Sequence, residues 1–345
     1  MLYRVIEAAE IPLLVRAFME SYEVVAPVKR GRTHTFDVVE DPARIDLDYE
    51  TTVISPKKYF LPSKETLLTF DVAGNEVTDY TAEVTPRVVF GAHACDINAI
   101  NRLDLVFKEG PYADPYYVAR RNATLIVGIS CMPNENCFCH LWDSDEARFG
   151  YDLFLQNIGD KYLVSISSVE AANILEASCN PQVATDEDRI AFRKATRRRQ
   201  ESFNRDIPDI QEVAMLMDAF HKDPFWEELG ERCLGCTACS AACPTCYCFD
   251  IYDVLDPGGK TGRRERAWDS CTAPQFALVA GGHNFRGSRR GRVRHRMYHK
   301  LNGFLANHDH MLCVGCGRCV VSCKARINPI EVLGFFKEKG AHDAE

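Results

Sequence analysis

Hydrophobic positions in the first half of the chain switch between helical and strand periods. From residue 7 to residue 22, Ile11, Leu14, Val15 and Phe18 recur on one face of a helix. Ser55-Pro56-Lys57-Lys58 and Leu61-Pro62-Ser63 mark loops. Two short runs of strand formers follow, Arg87-Val88-Val89-Phe90 and Thr124-Leu125-Ile126-Val127, each closed by a glycine, Gly91 and Gly128. Between them Asp96 is placed to cap a helix carrying Ile97, Ile100 and Leu103. A strand–helix–strand unit of this length predicts parallel neighbouring strands. Residues 152–155 and 162–166 read as a hairpin turned at Gly159-Asp160, and Ser167 with Glu170 as a capping box for a helix through Leu175.

Between Cys179 and Asp188 the pattern turns polar, which divides the chain into residues 1–184 and 185–345. The first part reads as an α/β domain with a mixed or parallel sheet. Beyond the division come a charged helix over residues 185–205 and a second helix from Pro208 through Met215 and Met217, broken at Asp223-Pro224. A length of 345 residues suffices for two cores. The formal charge of −8 argues against a general nucleic-acid binder. No apolar run reaches the 18 or more residues of a membrane span. The opening Met1-Leu2-Tyr3-Arg4, followed by Glu7 and Glu10, shows no secretory signal, so a cytoplasmic address is expected.

Sixteen cysteines change this ordinary picture. In a small secreted chain they would form a disulfide framework, but here they cluster at short spacings in a large chain without a signal. Cys233, Cys236, Cys239 and Cys243 follow C-x2-C-x2-C-x3-C with Pro244 next; Cys313, Cys316, Cys319 and Cys323 repeat the spacing, with Lys324 in the proline position. Such a loop folds three thiolates around one [4Fe-4S] cluster, while the fourth cysteine turns away to ligate the other. The assignment is Cys233, Cys236, Cys239 and Cys323 for one cluster and Cys313, Cys316, Cys319 and Cys243 for the other. Structural zinc instead uses paired CxxC units, without the trailing fourth cysteine. The 69 residues between Cys243 and Cys313 contain helical-looking stretches at 273–280 and 293–304. An α-helical ferredoxin domain therefore fits better than the compact β-hairpin ferredoxin.

Eight cysteines remain. Cys95 and Cys131 each follow one of the parallel strands, and Cys137 and Cys139 share the second loop. Loops after parallel strands gather along one sheet edge, where ligands bind in such folds. Two readings stand: a third [4Fe-4S] cluster on Cys95, Cys131, Cys137 and Cys139, or a set of inert buried thiols. His140 adjoins this group and reads as a surface residue. Cys246 and Cys248 lie close to the first motif and read as packing beside it, as tuning groups, or as a redox pair with Cys271. Cys179 stands alone. Arg289, Arg290, Arg292, Arg294 and Arg296 form one basic run, and Arg193, Lys194, Arg197, Arg198 and Arg199 another. Each is a solvated helix face or a dock for an acidic partner.

The segments Phe90-Gly91-Ala92-His93-Ala94-Cys95-Asp96, Cys137-Phe138-Cys139, the Cys-Pro-Thr-Cys-Tyr-Cys-Phe-Asp run at 243–250 and Gly281-Gly282-His283-Asn284 together carry a family likeness. From about residue 55 onward the chain resembles the β subunit of cytoplasmic sulfhydrogenases (nickel–iron hydrogenase/sulfur reductases) and the A subunit of anaerobic sulfite reductase. The resemblance implies a subunit of an anaerobic hetero-oligomer. Such a subunit relays electrons between a flavin-containing, NAD(P)H-binding subunit and a catalytic partner: a hydrogenase, a sulfite reductase or a heterodisulfide-reductase-type assembly. It implies that the flavin lies on the partner. Consistent with that, no G-x-G-x-x-G follows a strand and no G-x4-G-K-[ST] loop occurs.

The expectation is thus an electron-transfer subunit with two [4Fe-4S] clusters, extended to three if the N-terminal quartet binds one. The alternative is a sulfur, polysulfide or disulfide reductase using Cys246, Cys248 and Cys271 beside a cluster. A purely structural adaptor would leave both motifs without purpose.

Overall fold

The computed structural model describes residues 2–73, 76–79, 84–203 and 210–342. The chain begins with β1 (Leu2–Glu7) and α1 (Ile11–Met19), then β2 (Glu23–Arg30), β3 (Thr33–Val38), β4 (Lys64–Asp71), β5 (Val77–Asp79) and β6 (Arg87–Ala92). There follow α2 (Ala94–Phe107), α3 (Pro115–Asn122), β7 (Thr124–Ile129), β8 (Leu153–Asn157), β9 (Lys161–Ile166), α4 (Val169–Ser178) and α5 (Asp186–Glu201). The C-terminal part holds α6 (Ile210–Ala219), α7 (Phe225–Arg232), α8 (Ala238–Ala242), β10 (Phe249–Leu255), β11 (Thr261–Trp268), α9 (Arg289–Leu301), α10 (Leu305–His308), α11 (Arg318–Ser322) and α12 (Pro329–His342).

A seven-stranded sheet runs β1-β9-β8-β7-β6-β2-β3. Its centre, β2, β6, β7 and β8, is parallel, and its edges are antiparallel, so the sheet is mixed. The expected parallel neighbours are β6 and β7, paired from Arg87↔Thr124 onward. Alternation along the strands feeds two cores. Val24, Val88, Phe90 and Val127 pack under α1 and α4 with Leu14, Val15, Phe18 and Leu175. Val25, Val89 and Ile126 face α2 and α3 with Ile97, Ile100, Leu103 and Tyr117.

Several local expectations shift. The first helix starts at Ile11, because β1 and a 3-10 turn occupy Leu2–Glu10. Gly91 does not close its strand: β6 continues to Ala92 through an irregularity in register, with Gly91 at φ +81°. His93, not Asp96, is the N-cap of α2, because the helix follows directly from the strand; Asp96 is turned inward as half of an ion pair. Ser168 caps α4, accepting from the Ala171 N–H, and Glu170 instead receives the Tyr22 hydroxyl. The charged helix is α5, with Thr185 and Asp188 forming its capping box. Pro208 lies outside the described residues.

The division at residue 184 is crossed twice. β4, from the first part, pairs with β11 in a four-stranded sheet ordered β10-β11-β4-β5. Phe138 and Trp142 enter the C-terminal core among Trp226, Leu229, Met297 and Phe336. Helices dominate residues 210–342, but the interval between the cysteine motifs contains the β10–β11 hairpin, and turns rather than a helix occupy 273–280.

Candidate metal centres

The two cysteine motifs fold alike. In the first, Cys233 caps the end of α7, Gly235 stands at φ +67° and Thr237 at +64°, and Cys239 lies in α8. In the second, Gly315 stands at φ +64°, Gly317 at +72°, and Cys319 lies in α11. Gly235 and Gly315 each donate a backbone N–H to the first thiol of their loop, Cys233 or Cys313, at 3.4 Å. α8 packs against α11, which brings the trailing cysteine of each motif toward the other loop.

Cys233, Cys236, Cys239 and Cys323 border one cavity, with Arg296 and Cys319 in its wall. Cys243 is an electrostatic neighbour of Cys313, Cys316 and Cys319. Cys95, Cys131, Cys137 and Cys139 border a second cavity, together with Cys316 and Arg199. Cys95 opens α2 just beyond β6, and Cys131 follows β7, so this quartet sits at the carboxyl ends of two adjacent parallel strands. All sixteen cysteines are free thiols. Among the described residues no three His, Cys, Asp or Glu side chains close on a point that fits a single ion; the thiols ring cavities instead.

The three thiol groups adjoin in a fixed order. Cys316 of the second motif reaches the wall of the N-terminal cavity, and Cys319, three residues on, reaches the wall of the first-motif cavity. Contact between loops makes this possible. A Cβ at Gly315 would lie 2.5 Å from the Phe138 backbone, and one at Gly317 2.5 Å from the Asn136 carbonyl. Phe138 also donates its N–H to the Gly315 carbonyl at 2.8 Å.

Burial pushes the Cys131 and Cys316 thiols up to about 12, and Cys95, Cys139 and Cys319 also upward. A buried thiol gives up its proton only where positive charge replaces it. That charge is present. Lys57, Arg296 and Lys300 are buried around the loop after the first motif. Lys57 Nζ donates to the carbonyls of Cys243 (3.0 Å) and Cys246 (2.9 Å), and it lies 4.1 Å over the Trp268 ring. Lys300 Nζ donates to the Thr245 carbonyl and hydroxyl at 2.9 and 3.0 Å. Arg296 donates to the Cys239 carbonyl at 3.1 Å and approaches the Cys246 sulfur at 3.6 Å. None of these partners is a carboxylate. Burial alone would lower Lys300 and Arg296, yet the surrounding thiols outweigh it and raise both. Four thiols about a cavity with cationic surroundings suit an anionic iron–sulfur cluster, whose ligands are thiolates.

This overturns the reading of the Arg289–Arg296 run as a solvated face for Arg292 and Arg296 alone, since Arg289 is exposed and Arg290 and Arg294 are half-buried. Arg292, Arg296 and Lys300 are spaced by four on the buried face of α9, beside Val293, Met297 and Leu301. Arg292 holds the Thr272 carbonyl at 3.1 Å, and Arg289 the Cys233 carbonyl at 3.2 Å. In α5, Arg199 is also buried, pairing with Asp145 and Glu146 at the N-terminal cavity, while Arg193, Lys194, Arg197 and Arg198 are exposed. A second lock is the buried Asp96–Arg318 pair at 2.8 Å, with Arg318 also donating to the Thr52 carbonyl and hydroxyl. The interleaving of basic and apolar residues every four positions in α9 was the available signal for the inward cations; Lys57 gave none, standing in a polar loop. His140 lies 4.2 Å from the Phe203 ring at a 33° tilt, and Cys179 lies at the C-terminus of α4, away from all three groups.

Residues 232–327 match the family described as 4Fe-4S dicluster domain. The chain is 36% identical over 328 residues to the sulfhydrogenase 2 subunit beta of Pyrococcus furiosus, covering 95% of this chain and 96% of that protein. No solved structure matches. Among the described residues no helix is long and apolar enough to cross a membrane. At that identity and coverage, with the dicluster motifs intact, the chain belongs to the sulfhydrogenase β-subunit family.

Proposed function

We propose that the chain relays electrons through three [4Fe-4S] clusters, within a hetero-oligomer, between a flavin and NAD(P)H-binding subunit and a catalytic redox subunit. The observation that carries the reading is the adjacency of the three thiol groups, with Cys316 and Cys319 bordering one neighbouring cavity each. When bound, such clusters pass one electron at a time. The chain's own residues would hold them in order: Cys95, Cys131, Cys137 and Cys139; then Cys313, Cys316, Cys319 and Cys243; then Cys233, Cys236, Cys239 and Cys323. Phe138, Trp142 and Trp226 belong to the buried core against which Cys233, Cys313 and Cys323 pack. Arg296 and Lys300 offset negative charge at the middle and outer groups. The relative's name, a sulfhydrogenase subunit, supports a multi-subunit setting.

Iron and acid-labile sulfide on anaerobically purified chain test the reading. About twelve irons, four for each of three cubanes, are expected, falling to about eight in Cys131→Ala. Eight irons in the parent chain, unchanged in Cys131→Ala, would reduce the relay to the two C-terminal sites. Zinc without sulfide would overturn it.

A further inference from the structure

Four buried or half-buried thiols, Cys179, Cys246, Cys248 and Cys271, take no part in the proposed sites, and the hairpin between the motifs aligns two of them. Cys248 immediately precedes β10, and Cys271 follows β11 by three residues. The ladder closes at Phe249↔Trp268, and just beyond it the Asp269 N–H donates to the Cys248 carbonyl at 2.9 Å. The closed end of the hairpin thus sets the two thiols side by side, each the largest influence on the other's ionisation. The turn carrying Cys271 is fixed on both sides. Ser270 bonds the Ser240 and Thr272 hydroxyls at 2.8 Å each, and Trp268 Nε1 holds the Leu61 carbonyl at 3.0 Å. Cys246 is buried with its sulfur 3.6 Å from Arg296, and it is an electrostatic neighbour of both Cys243 and Cys271.

We propose that Cys248 and Cys271 form a reversible dithiol–disulfide couple beside the middle cysteine site, a two-electron centre in a chain of one-electron sites. The inference rests on the relay reading for the fate of its electrons. On oxidation at neutral pH one S–S bond forms and the Cys271 S–H bond breaks, Cys248 being already ionised. The Cys271 proton leaves by way of half-buried Cys248, and the two electrons pass singly to one-electron acceptors of the iron–sulfur class. Reduction is the reverse. A disulfide needs its two sulfurs close together, and the ladder end at Phe249↔Trp268, with the Asp269 N–H on the Cys248 carbonyl, holds the two residues beside each other at one turn. Exchange also favours one thiol that ionises readily and a setting that stabilises thiolate. The neighbouring Cys271 thiol, with Lys300 nearby, holds Cys248 down at about 6, and Cys248 and burial push Cys271 up.

The test uses the full chain, purified anaerobically and with its iron content measured. Samples poised at stepped potentials with mediators are quenched in acid, alkylated and digested, and the cross-linked peptide is quantified by mass spectrometry. The expected result is a Cys248–Cys271 link at high potential that disappears at low potential while iron stays constant. Cys271→Ser should remove two electrons per chain from a coulometric titration and leave iron unchanged. Alkylation of both thiols at every potential in iron-replete protein would overturn the proposal. So would a link placed by fragmentation at Cys243 or Cys246, or iron loss in Cys271→Ser, which would make Cys271 a metal ligand. A chain that lacks iron yet still shows the potential-dependent link would sink the relay reading and leave the couple standing.

Discussion

The two cysteine motifs share spacing, left-handed turns and an N–H to the first sulfur, yet they sit in different surroundings. In the first motif Cys236 and Leu234 are exposed, and a Cβ at Gly235 would make only an ordinary contact, 3.9 Å from the Thr272 carbonyl. In the second, Cys316 is buried, and both glycines press against the backbone of residues 136–139. Spacing therefore sets how a loop wraps its ligands, while neighbouring loops set where that site stands in a path. The outer motif faces solvent, where a partner can approach; the inner one is enclosed on two sides by other thiol groups.

That contrast can be broken by one substitution made in both places. Gly315→Ala puts a Cβ into the Phe138 backbone at a positive φ, and neither neighbour is a flexible side-chain end. A loss of more than about 3 kcal/mol is expected in anaerobic denaturant melts, with iron lost from the middle and N-terminal groups together. Asp96→Asn should rank next. It leaves Arg318 buried without its carboxylate, at a cost of about 3 kcal/mol by the same melts, and loosens the inner motif alone. Arg296→Met removes a positive charge that borders the outer cavity and neighbours Cys319. A reduced cluster carries one more negative charge, so the potential should fall, by about 60 mV if the change is tenfold for a one-electron couple. Redox titration followed by electron paramagnetic resonance would register it. Gly235→Ala, the counterpart of the first substitution, meets only the Thr272 carbonyl at an ordinary 3.9 Å and should cost about 1 kcal/mol for its φ, with iron retained. Equal losses at 235 and 315 would erase the distinction between the motifs.

Much of the architecture was legible because its signals are local. The cysteine spacing, the β6–α2–β7 order and the hairpin of β8 and β9 each lie within a few dozen residues. The grouping of Cys95 with Cys131, Cys137 and Cys139 followed from the rule that parallel strands present their loops at one edge. The rest depends on distant partners. Lys57 stands in a segment read only as a loop, and it meets Cys243 across 186 positions. Asp96 looked like a helix cap because its mate, Arg318, lies 222 residues away. The direction of the α9 charges was written in its four-residue interleaving, but a count of arginines conceals it. The β10–β11 hairpin was missed because its sequence is polar: β10 is largely exposed, and Arg266 is satisfied by Glu65 and Asp114 rather than by apolar packing.

The pairing of β4 with β11 bears on how the chain is made. Glu65 and Arg266 are joined across 201 positions, and closing so large a loop costs about 5 kcal/mol before any contact repays it. During synthesis Lys64–Asp71 has left the ribosome long before Thr261–Trp268 exists, so β4, which has β5 on one side, waits with its other side unpaired through most of translation. The first cysteine motif emerges within that interval, with its four thiols uncovered. Correct biogenesis thus favours a slow-closing nascent chain held apart from its neighbours, and the last strand of the second sheet to arrive completes the scaffold around thiols made before it.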